Sequence, residues 1–555
     1  MQANIAFFNG EVITVDGQDS IREALAISDN KIVAVGSKEE IKELIGDSTQ
    51  VIDLEGKSIL PGIIDAHLHL VMYGTFQLSI SCKEPGLDSV DAILTALKDK
   101  AATTPKGQWI RAWGFNEQTV KEKRYPTLEE LDNITIDHPI AITRTCGHIG
   151  IVNSVALRLS EIDETTPDPQ GGFIERDAKG QLTGRLIENA YMQFSRFATF
   201  SNEEVYQAIQ IAQQHFLKVG ITSVHEAGTF TKEDYRMLQL ASQKGDLKIR
   251  IYAMIASIND CKQFTLNMME SGVLTGTGNE FFKVGPAKLF TDGSSTGPTI
   301  ATREGYTSNP DDYGILYYSE DEIYEVLGKA HELGYQITVH AQGDQAIETY
   351  LNVVERALKE NPRENHRHRI EHAGISSPDL QQRMKELKMI PIPNPPFPYE
   401  FGESYLTNYG ERTDFMYPAR DFIDQGIITA AGSDSPVTTY NPFIGIHEAV
   451  NRLTANGISF GGKQKIDVLE AIRLYTYNGA YASFDEDIKG SLEPGKLADM
   501  IVLDRSILKA LPQELKDIQV ELTILDGDIL FERSNENILM RMGDSYDNKN
   551  FKLSI

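Results

Sequence analysis

Ser319-Glu320-Asp321-Glu322-Ile323-Tyr324-Glu325-Val326-Leu327-Gly328-Lys329-Ala330-His331-Glu332-Leu333-Gly334-Tyr335-Gln336-Ile337-Thr338-Val339-His340 reads as a helix that hands the chain to a strand. Ser319 and Glu322 make a capping box ahead of Ile323, Val326, Leu327 and Ala330, which recur at helical spacing. Gly334 sits where a left-handed cap would end that helix. Gln336 to His340 then supplies a strand candidate that ends on a histidine. Repetition of such units argues for a parallel sheet flanked by helices.

Working outward, the same alternation gives eight strand candidates. They are Ile63 to His67, Ile221 to His225, Ile249 to Ile255, Phe282 to Phe290, Gln336 to His340, Arg369 to His372, Met389 to Ile392 and Ile427 to Gly432. Gly220 closes another helix just before its strand, and Ser377-Pro378 opens one, since proline fits a first helical turn. Eight units predict an α/β fold of the (β/α)8 TIM-barrel type over residues 61–484. The count requires residues 70–218 to be a large insertion after the first strand, with strand-like pieces of its own at Trp109 to Trp113 and Ile140 to Thr143. Because loops after barrel strands open on the catalytic face, this insertion is expected to cover the active site. A second, independent domain is the rival reading.

Both ends read as β structure. Ile5 to Phe8, Asn9-Gly10 and Val12 to Val15 look like a hairpin, and Ala24 to Ile27, Asp29-Asn30 and Ile32 to Val35 repeat it. Met500 to Leu503, then Glu521 to Leu525, Asp526-Gly527 and Ile529 to Phe531, resemble that pattern. The expectation is one small β-sandwich formed from residues 1–60 and 485–555, the latter including a C-terminal tail.

The 555 residues carry 53 Lys and Arg against 80 Asp and Glu, a net charge of −27 that disfavours nucleic acid as a partner. The three cysteines, Cys82, Cys146 and Cys261, lie far apart, which suits a reducing, cytoplasmic setting better than a disulfide framework. No signal peptide is read in Met1 to Asp16, and no apolar run approaches the ~20 residues that span a bilayer.

The chemistry starts at Asp65-Ala66-His67-Leu68-His69. In an extended segment alternate side chains share a face, so His67 and His69 can reach one metal ion. The spacing alone is weak, because Asn365-His366-Arg367-His368 has it too. Those two precede their strand and are expected on the surface at the opposite end of the barrel. His340, His372, Asp434 and Lys288 each fall at or just past the C-terminal end of a strand candidate, where barrel enzymes assemble their sites. Singly, each has a bland reading as a core histidine, a helix cap or a solvent-seeking lysine; the coincidence favours a metal centre. Asp292, Arg303, Gln342 and Asp344 also follow strands, and His225 ends one.

Leu60-Pro61-Gly62-Ile63-Ile64-Asp65-Ala66-His67-Leu68-His69, Lys288-Leu289-Phe290-Thr291-Asp292-Gly293-Ser294, Val339-His340-Ala341-Gln342-Gly343-Asp344, Glu371-His372-Ala373, Gly432-Ser433-Asp434 and Gly490 to Asp499 together resemble the amidohydrolase superfamily, in its YtcJ-like branch (amidohydrolase family 3), which includes N-substituted formamide deformylases. The resemblance runs from the first strands to about Asp504. It implies a hydrolytic site with one or two divalent metals, held by His67, His69, Lys288, His340, His372 and Asp434. If two ions bind, it implies a carboxylated Lys288 as their bridge, with His67, His69 and Asp434 on one ion and His340 and His372 on the other. Imidazole and carboxylate ligands suit zinc, with manganese, iron and nickel open. Such an ion lowers the pKa of bound water toward ~7, giving a hydroxide nucleophile, and Asp434 is the catalytic base that passes its proton to the leaving amine. Trp113, Asn116, Glu117, His148 and Asn153 lie in stretches similar to the branch's pocket-facing segments. With Asp292, Arg303 and Gln342 they are the substrate-contact candidates, each with a structural role as the alternative.

The expected function is hydrolysis of the C–N bond of a small molecule, such as an N-formyl or N-acyl amine or a cyclic amide. One alternative is a mononuclear deaminase of a nucleobase-like ring, in which a glutamate follows the strand-five histidine by three residues. Gly343 holds that place here. The other is a non-enzymatic scaffold on the same fold, which would be expected to have lost metal positions. A homodimer is the expected state only because it is the commonest one.

Overall fold

The computed structural model describes residues 2–144, 149–169 and 171–535. The chain divides into two compact units, 1–70 with 213–555, and 71–212.

The larger unit is built on a parallel seven-stranded sheet. In chain order its strands are β1 (Ile63–Leu68), β2 (Ile221–Glu226), β3 (Arg250–Ile255), β4 (Phe282–Phe290), β5 (Ile337–Ala341), β6 (Arg369–His372) and β7 (Ile390–Ile392). Each pairs in parallel with the next. Every residue of β1, β2 and β3 is buried, as expected for parallel strands covered on both faces. The helices between them start and stop as the sequence dictates. Ser319 and Glu322 cap each other's backbone, Pro378 opens the helix Pro378–Glu386, and Gly220 and Gly334 take positive φ ahead of β2 and β5.

The eighth expected strand, Ile427 to Gly432, is not one. It lies between β7 and β1 and bonds to both: Ala430 N–H and Gly432 N–H donate to the Pro391 and Pro393 carbonyls at 3.3 and 3.2 Å, and Ala66 N–H donates to Ala431 O at 3.0 Å. Pro391 and Pro393 have no N–H to return, so a two-way ladder on that side cannot form. Ala431 N–H turns instead to Leu474 O at 3.1 Å. The segment brings the two edge strands together, and the result is a TIM-barrel-like α/β fold.

Two further sheets are built from terminal strands, the first from the N-terminal segment alone and the second from both ends. A four-stranded sheet orders Lys31–Gly36, Ala24–Ser28, Ile5–Phe8 and Gln50–Asp53; a six-stranded one orders Asp528–Glu532, Val520–Leu525, Met500–Leu503, Ser58–Pro61, Glu11–Ile13 and Ile21–Arg22. Phe7, Leu25 and Ile27 of the first share a core with Val12, Ile59, Met500, Val502 and Ile524 of the second. The hairpins at Asp29-Asn30 and Asp526-Gly527 form as expected. The one at Asn9-Gly10 does not: Ile5–Phe8 and Glu11–Ile13 enter different sheets. Here the Asn9 carbonyl accepts from Gly56 N–H and Glu11 N–H donates to Lys57 O, so the turn bonds to the 54–57 segment and not across itself. A Cβ at Gly10 would come within 2.5 Å of Leu54, which explains the glycine without a hairpin. Arg250, buried at the start of β3, ties barrel to terminal strands through Asp499 at 2.7 and 2.9 Å and Asp526 at 3.0 Å.

The smaller unit carries its own six-stranded mixed sheet, ordered Gly172–Arg176, Leu182–Glu188, Ile149–Val152, Ile140–Arg144, Ile110–Phe115 and Ile80–Ser81. The helix Val90–Thr103, capped by Ser89, buries Val90, Ile93 and Leu97 against Ile110 and Ile140. No helix among the described residues is long and apolar enough to cross a membrane.

His366 and His368 precede β6 as expected but are not surface residues: they are 2% and 0% exposed. His368 Nε2 meets His331 Nδ1 at 2.8 Å, His331 Nε2 donates to Asn361 O at 2.7 Å, and Ile337 N–H donates to His368 Nδ1 at 3.2 Å. The histidines are spent on backbone groups that the strand starts leave open. Burial holds His366 down to about 4 and His368 well below the usual imidazole range, with His331 lowered as well. Arg363 and Lys388 nearby push His366 the same way. Unfolded imidazoles titrate near ~6.5. Between that value and about 4 these histidines therefore bind more protons in the unfolded chain than in the folded one, and their contribution to stability falls as pH falls. Denaturant midpoints of metal-stripped protein should drop from pH 7.5 to pH 5, and His368→Gln should flatten the drop; a profile level across that range would contradict it.

Candidate metal centre

The site lies at the C-terminal ends of the barrel strands. His67 comes from β1, and His69 is the second residue after it on the same face. Glu371 and His372 end β6. A regular pleat would send adjacent Glu371 and His372 to opposite faces. His372 and Ala373 instead take φ of +71° and +46°, and Asp434 takes +59°. These left-handed residues break the pleat where side chains must converge, a cost that clusters at functional sites.

His67, His372 and Asp434 each offer a ligand atom within 4.8 Å of the others, and all three are buried. The rings of His67 and His372 lie 4.6 Å apart, and those of His340 and His372 4.5 Å apart. Asp434 Oδ1 lies 3.4 Å from His67 Nε2 and 3.4 Å from His69 Nε2. His67 Nδ1 donates to Glu371 Oε2 at 2.5 Å, leaving Nε2 buried with no hydrogen-bond partner. His69 Nδ1 donates to Gly228 O at 2.8 Å and His372 Nδ1 to Asn394 Oδ1 at 2.7 Å. Asn394 is fixed in turn by its Nδ2–H, which donates to Gly432 O at 3.1 Å. In each imidazole the outer nitrogen is anchored and the inner one is left to ligate, the arrangement that orients metal-binding histidines. An orphaned, buried Nε2 beside a carboxylate and further imidazoles fits a divalent cation.

Lys288 is fully buried in β4 and donates to Ala227 O at 2.8 Å. Burial pulls its ammonium below the ordinary lysine range, against the pull of Glu371 and Asp434. Burial likewise holds His340 to about 4 and His372 well below the usual range, so both are neutral donors at pH 7. Burial would raise Asp434, but His67 and His69 overrule it and hold the carboxyl well below its ordinary value. His340 Nε2 donates to Gly293 O at 2.9 Å and lies 3.4 Å from Asp292 Oδ1.

Sequence reading missed the groups behind the candidate ligands. Arg369, 0% exposed, donates to both Glu371 oxygens at 2.8 and 2.9 Å, to Ala66 O at 2.7 Å and to His225 Nδ1 at 2.7 Å. Thr338 donates to Glu371 Oε1 at 2.7 Å. Burial pushes the Glu371 carboxyl up, but Arg369 and His67 outweigh it and keep the group charged. The available signal was charge inside a strand: Arg369 and Glu371 flank Ile370 in a segment otherwise read as buried.

Other expected contacts fall in varied places. Asp292 is fully enclosed, accepts from Ala301, Gln342 and Gly343 N–H, and is raised by burial to about 7. Gln342 accepts from the Tyr417 hydroxyl at 2.8 Å. Arg303 pairs with Glu348 and Asp379, while Asp344 accepts Arg303 N–H. His225 is buried on Arg369. In the smaller unit, Trp113 stacks on Phe76 at 4.9 Å, Asn116 accepts from Gln118 N–H and Glu117 pairs with Arg144. Asn153 caps the helix Ser154–Leu159. His148 lies outside the described residues.

Comparison with known proteins identifies the family. The sequence profile described as "Amidohydrolase family" matches residues 50–531. The chain is 30% identical over 548 residues to the N-substituted formamide deformylase of Arthrobacter pascens, covering 96% of this chain and 99% of that one. It is 30% identical over 538 residues to YtcJ of Bacillus subtilis strain 168, covering 95% and 99%. A metal-dependent hydrolase of Pyrococcus furiosus superposes with a TM-score of 0.76 at 26% identity, covering 92% of this chain and 99% of that structure. With fold and nearly full-length similarity in agreement, the chain belongs to the amidohydrolase family and is a hydrolase of carbon–nitrogen bonds other than peptide bonds.

Proposed function

We propose that this enzyme hydrolyses an N-formyl or N-acyl amine, or a cyclic amide, with one or two divalent metals, zinc by donor chemistry, which His67, His69, Lys288, His340, His372 and Asp434 would hold. The observation that carries the reading is His67 Nε2, buried, unpartnered and locked in place by Glu371, beside His372 and Asp434. The deformylase similarity supports the amide class. Bound there, the metal supplies Lewis-acid polarisation of a carbonyl and acidification of a water.

The chain's own residues do the rest. Asp434 is ionised at neutral pH and sits against His67 and His69, so one carboxylate oxygen accepts the proton of the attacking water and delivers it to the departing amine nitrogen. Glu371 and Asn394 hold His67 and His372 in the ligating tautomer. Burial draws the Lys288 ammonium toward the free amine, the form that adds carbon dioxide, and a carboxylated Lys288 would join the residues that hold the metal. We also propose one β-sandwich from the two terminal segments, on the core they share, and a cytoplasmic setting from the sparse cysteines, with a homodimer as the commonest state for such an enzyme.

Elemental analysis of protein prepared with bicarbonate should find near two metals per chain, with a clear loss in Lys288→Ala. One metal in both would make Lys288 a structural cation on Ala227 O and restore the mononuclear mechanism. Asp434→Asn should keep the fold, checked by circular dichroism, and lose turnover of N-formyl amines by roughly 10²-fold or more; parental turnover would remove Asp434 from the proton path. Glu371→Gln should weaken metal affinity by roughly 10–100-fold in a competitive chelator titration; unchanged affinity would reduce the Arg369–Glu371 pair to packing.

A further inference from the structure

One buried imidazole, His225 of β2, has no part in the mechanism above. In the parallel register its neighbour on β3 is Tyr252, and the two rings meet edge to face with centroids 5.2 Å apart. The Tyr252 hydroxyl donates to Gln336 Oε1 at 2.7 Å, and Gln336 Nε2 donates to Ala482 O at 3.0 Å. His225 is thus braced by a ring that is itself bonded at its far end. Its Nδ1 lies 2.7 Å from Arg369 Nη1. A guanidinium can only donate, so Nδ1 is the acceptor and the ring proton sits on Nε2. That Nε2–H is buried and has no hydrogen-bond partner among the described residues. An apolar side chain would fill the same place without stranding an N–H in a dry interior, which costs free energy. Packing gives no reason for an imidazole here; an acceptor for Arg369 does.

Arg369 needs that acceptor because of where its other N–H groups go. Nε and Nη2 engage the two oxygens of Glu371 on the same strand, and Nη2 also donates to Ala66 O in β1. Nη1 is the nitrogen that reaches β2. Strands β2 and β6 are separated in the sheet by β3, β4 and β5, so the guanidinium spans the barrel interior. Without His225, Nη1 is left as a buried donor with no acceptor in place, and a guanidinium that turns to find one draws Glu371 with it. Glu371 Oε2 is in turn 2.5 Å from His67 Nδ1. Four side chains therefore stand in series: His225, Arg369, Glu371 and His67. Burial, helped by the charges of Arg369 and Lys489, holds the His225 imidazole well below its usual range, so it remains an acceptor at neutral pH.

We propose that His225 is a positioning residue for the metal centre: by accepting from Arg369 it fixes the guanidinium that holds Glu371, and so aims His67 Nε2. The proposal rests on the reading of His67 as a metal ligand. His225 acts only through Arg369 and Glu371, and what it adds is the aim of a ring carried by another strand.

His225→Asn and His225→Leu separate the acceptor from the packing. The asparagine Oδ1 stands near the place of the imidazole Nδ1, whereas leucine has nearly the same shape and no acceptor. In a competitive chelator titration of the full-length protein with zinc, His225→Leu should bind roughly 10-fold more weakly than the parent, the low end of what groups behind metal ligands contribute. His225→Asn should keep most of the parental affinity. With cobalt in place of zinc, the visible absorption bands should shift in His225→Leu, a change that a merely structural role would not produce. Parental affinity and bands in His225→Leu, or equal losses in both variants, would overturn the proposal. If His225→Leu does not fold, His225→Ala takes its place with the same expected loss. A parent that binds no zinc would remove the ligand reading of His67, and crystals of metal-free parent and His225→Leu would then still decide the role of His225. Glu371 turned away from His67 in the variant upholds the series; an unchanged Glu371–His67 contact overturns it.

Discussion

A buried charge pair, Arg369 with Glu371, is the constraint on which the centre of this protein depends. Neither side chain touches solvent, and both guanidinium–carboxylate bonds are short. Removing two charges from water is costly, and such a pair often gives no net stability over an apolar substitute. What it gives here is position. Arg369 also grips the Ala66 carbonyl, so β6 is pinned to the backbone immediately before His67, and Glu371 takes the His67 ring from the other side. One buried cation thus fixes both the strand that carries His67 and the carboxylate that orients its ring.

The same economy recurs around the site. Asp65 accepts from His67 N–H and Ser433 N–H at 3.1 and 3.0 Å, linking β1 to the segment that carries Asp434. Gly432 is tight against His67, where a Cβ would approach its backbone to 2.5 Å, and the Gly432 carbonyl holds Asn394. The irregular eighth segment is therefore part of the site's construction. A regular strand there would have kept its pleat; the left-handed Asp434 turns its carboxylate toward two histidines instead.

Charge burial also divides the barrel by function. At one end, imidazoles keep a nitrogen free and point it inward. At the other, His331, His366 and His368 spend their nitrogens on one another and on backbone groups. The histidine-x-histidine spacing is identical in the two places, so it carries no chemistry by itself. Which end of a strand it occupies decides whether the rings meet a carboxylate or the carbonyls and amides of strand starts.

Strand-and-helix alternation, cap residues and glycine stops were legible because they are local: each is set by the conformational preferences of a few adjacent residues. That was enough for the barrel-like core, for two of three terminal hairpins, and for histidines at strand ends, whereas Asp434 follows a segment that is not a strand. The Asn9-Gly10 link misled because its partners lie near Leu54, far beyond the turn. The eighth strand failed for a similar reason, since the prolines that deny it a ladder belong to a neighbour. Arg369 and Asn394 acquire their roles only across the sheet, through distances between residues remote in sequence. The sequence by itself determined which elements form and which residue types stand at their ends; the tertiary structure alone decided which nitrogens are left unpartnered, because hydrogen-bond satisfaction in a dry interior is settled among all the neighbours at once.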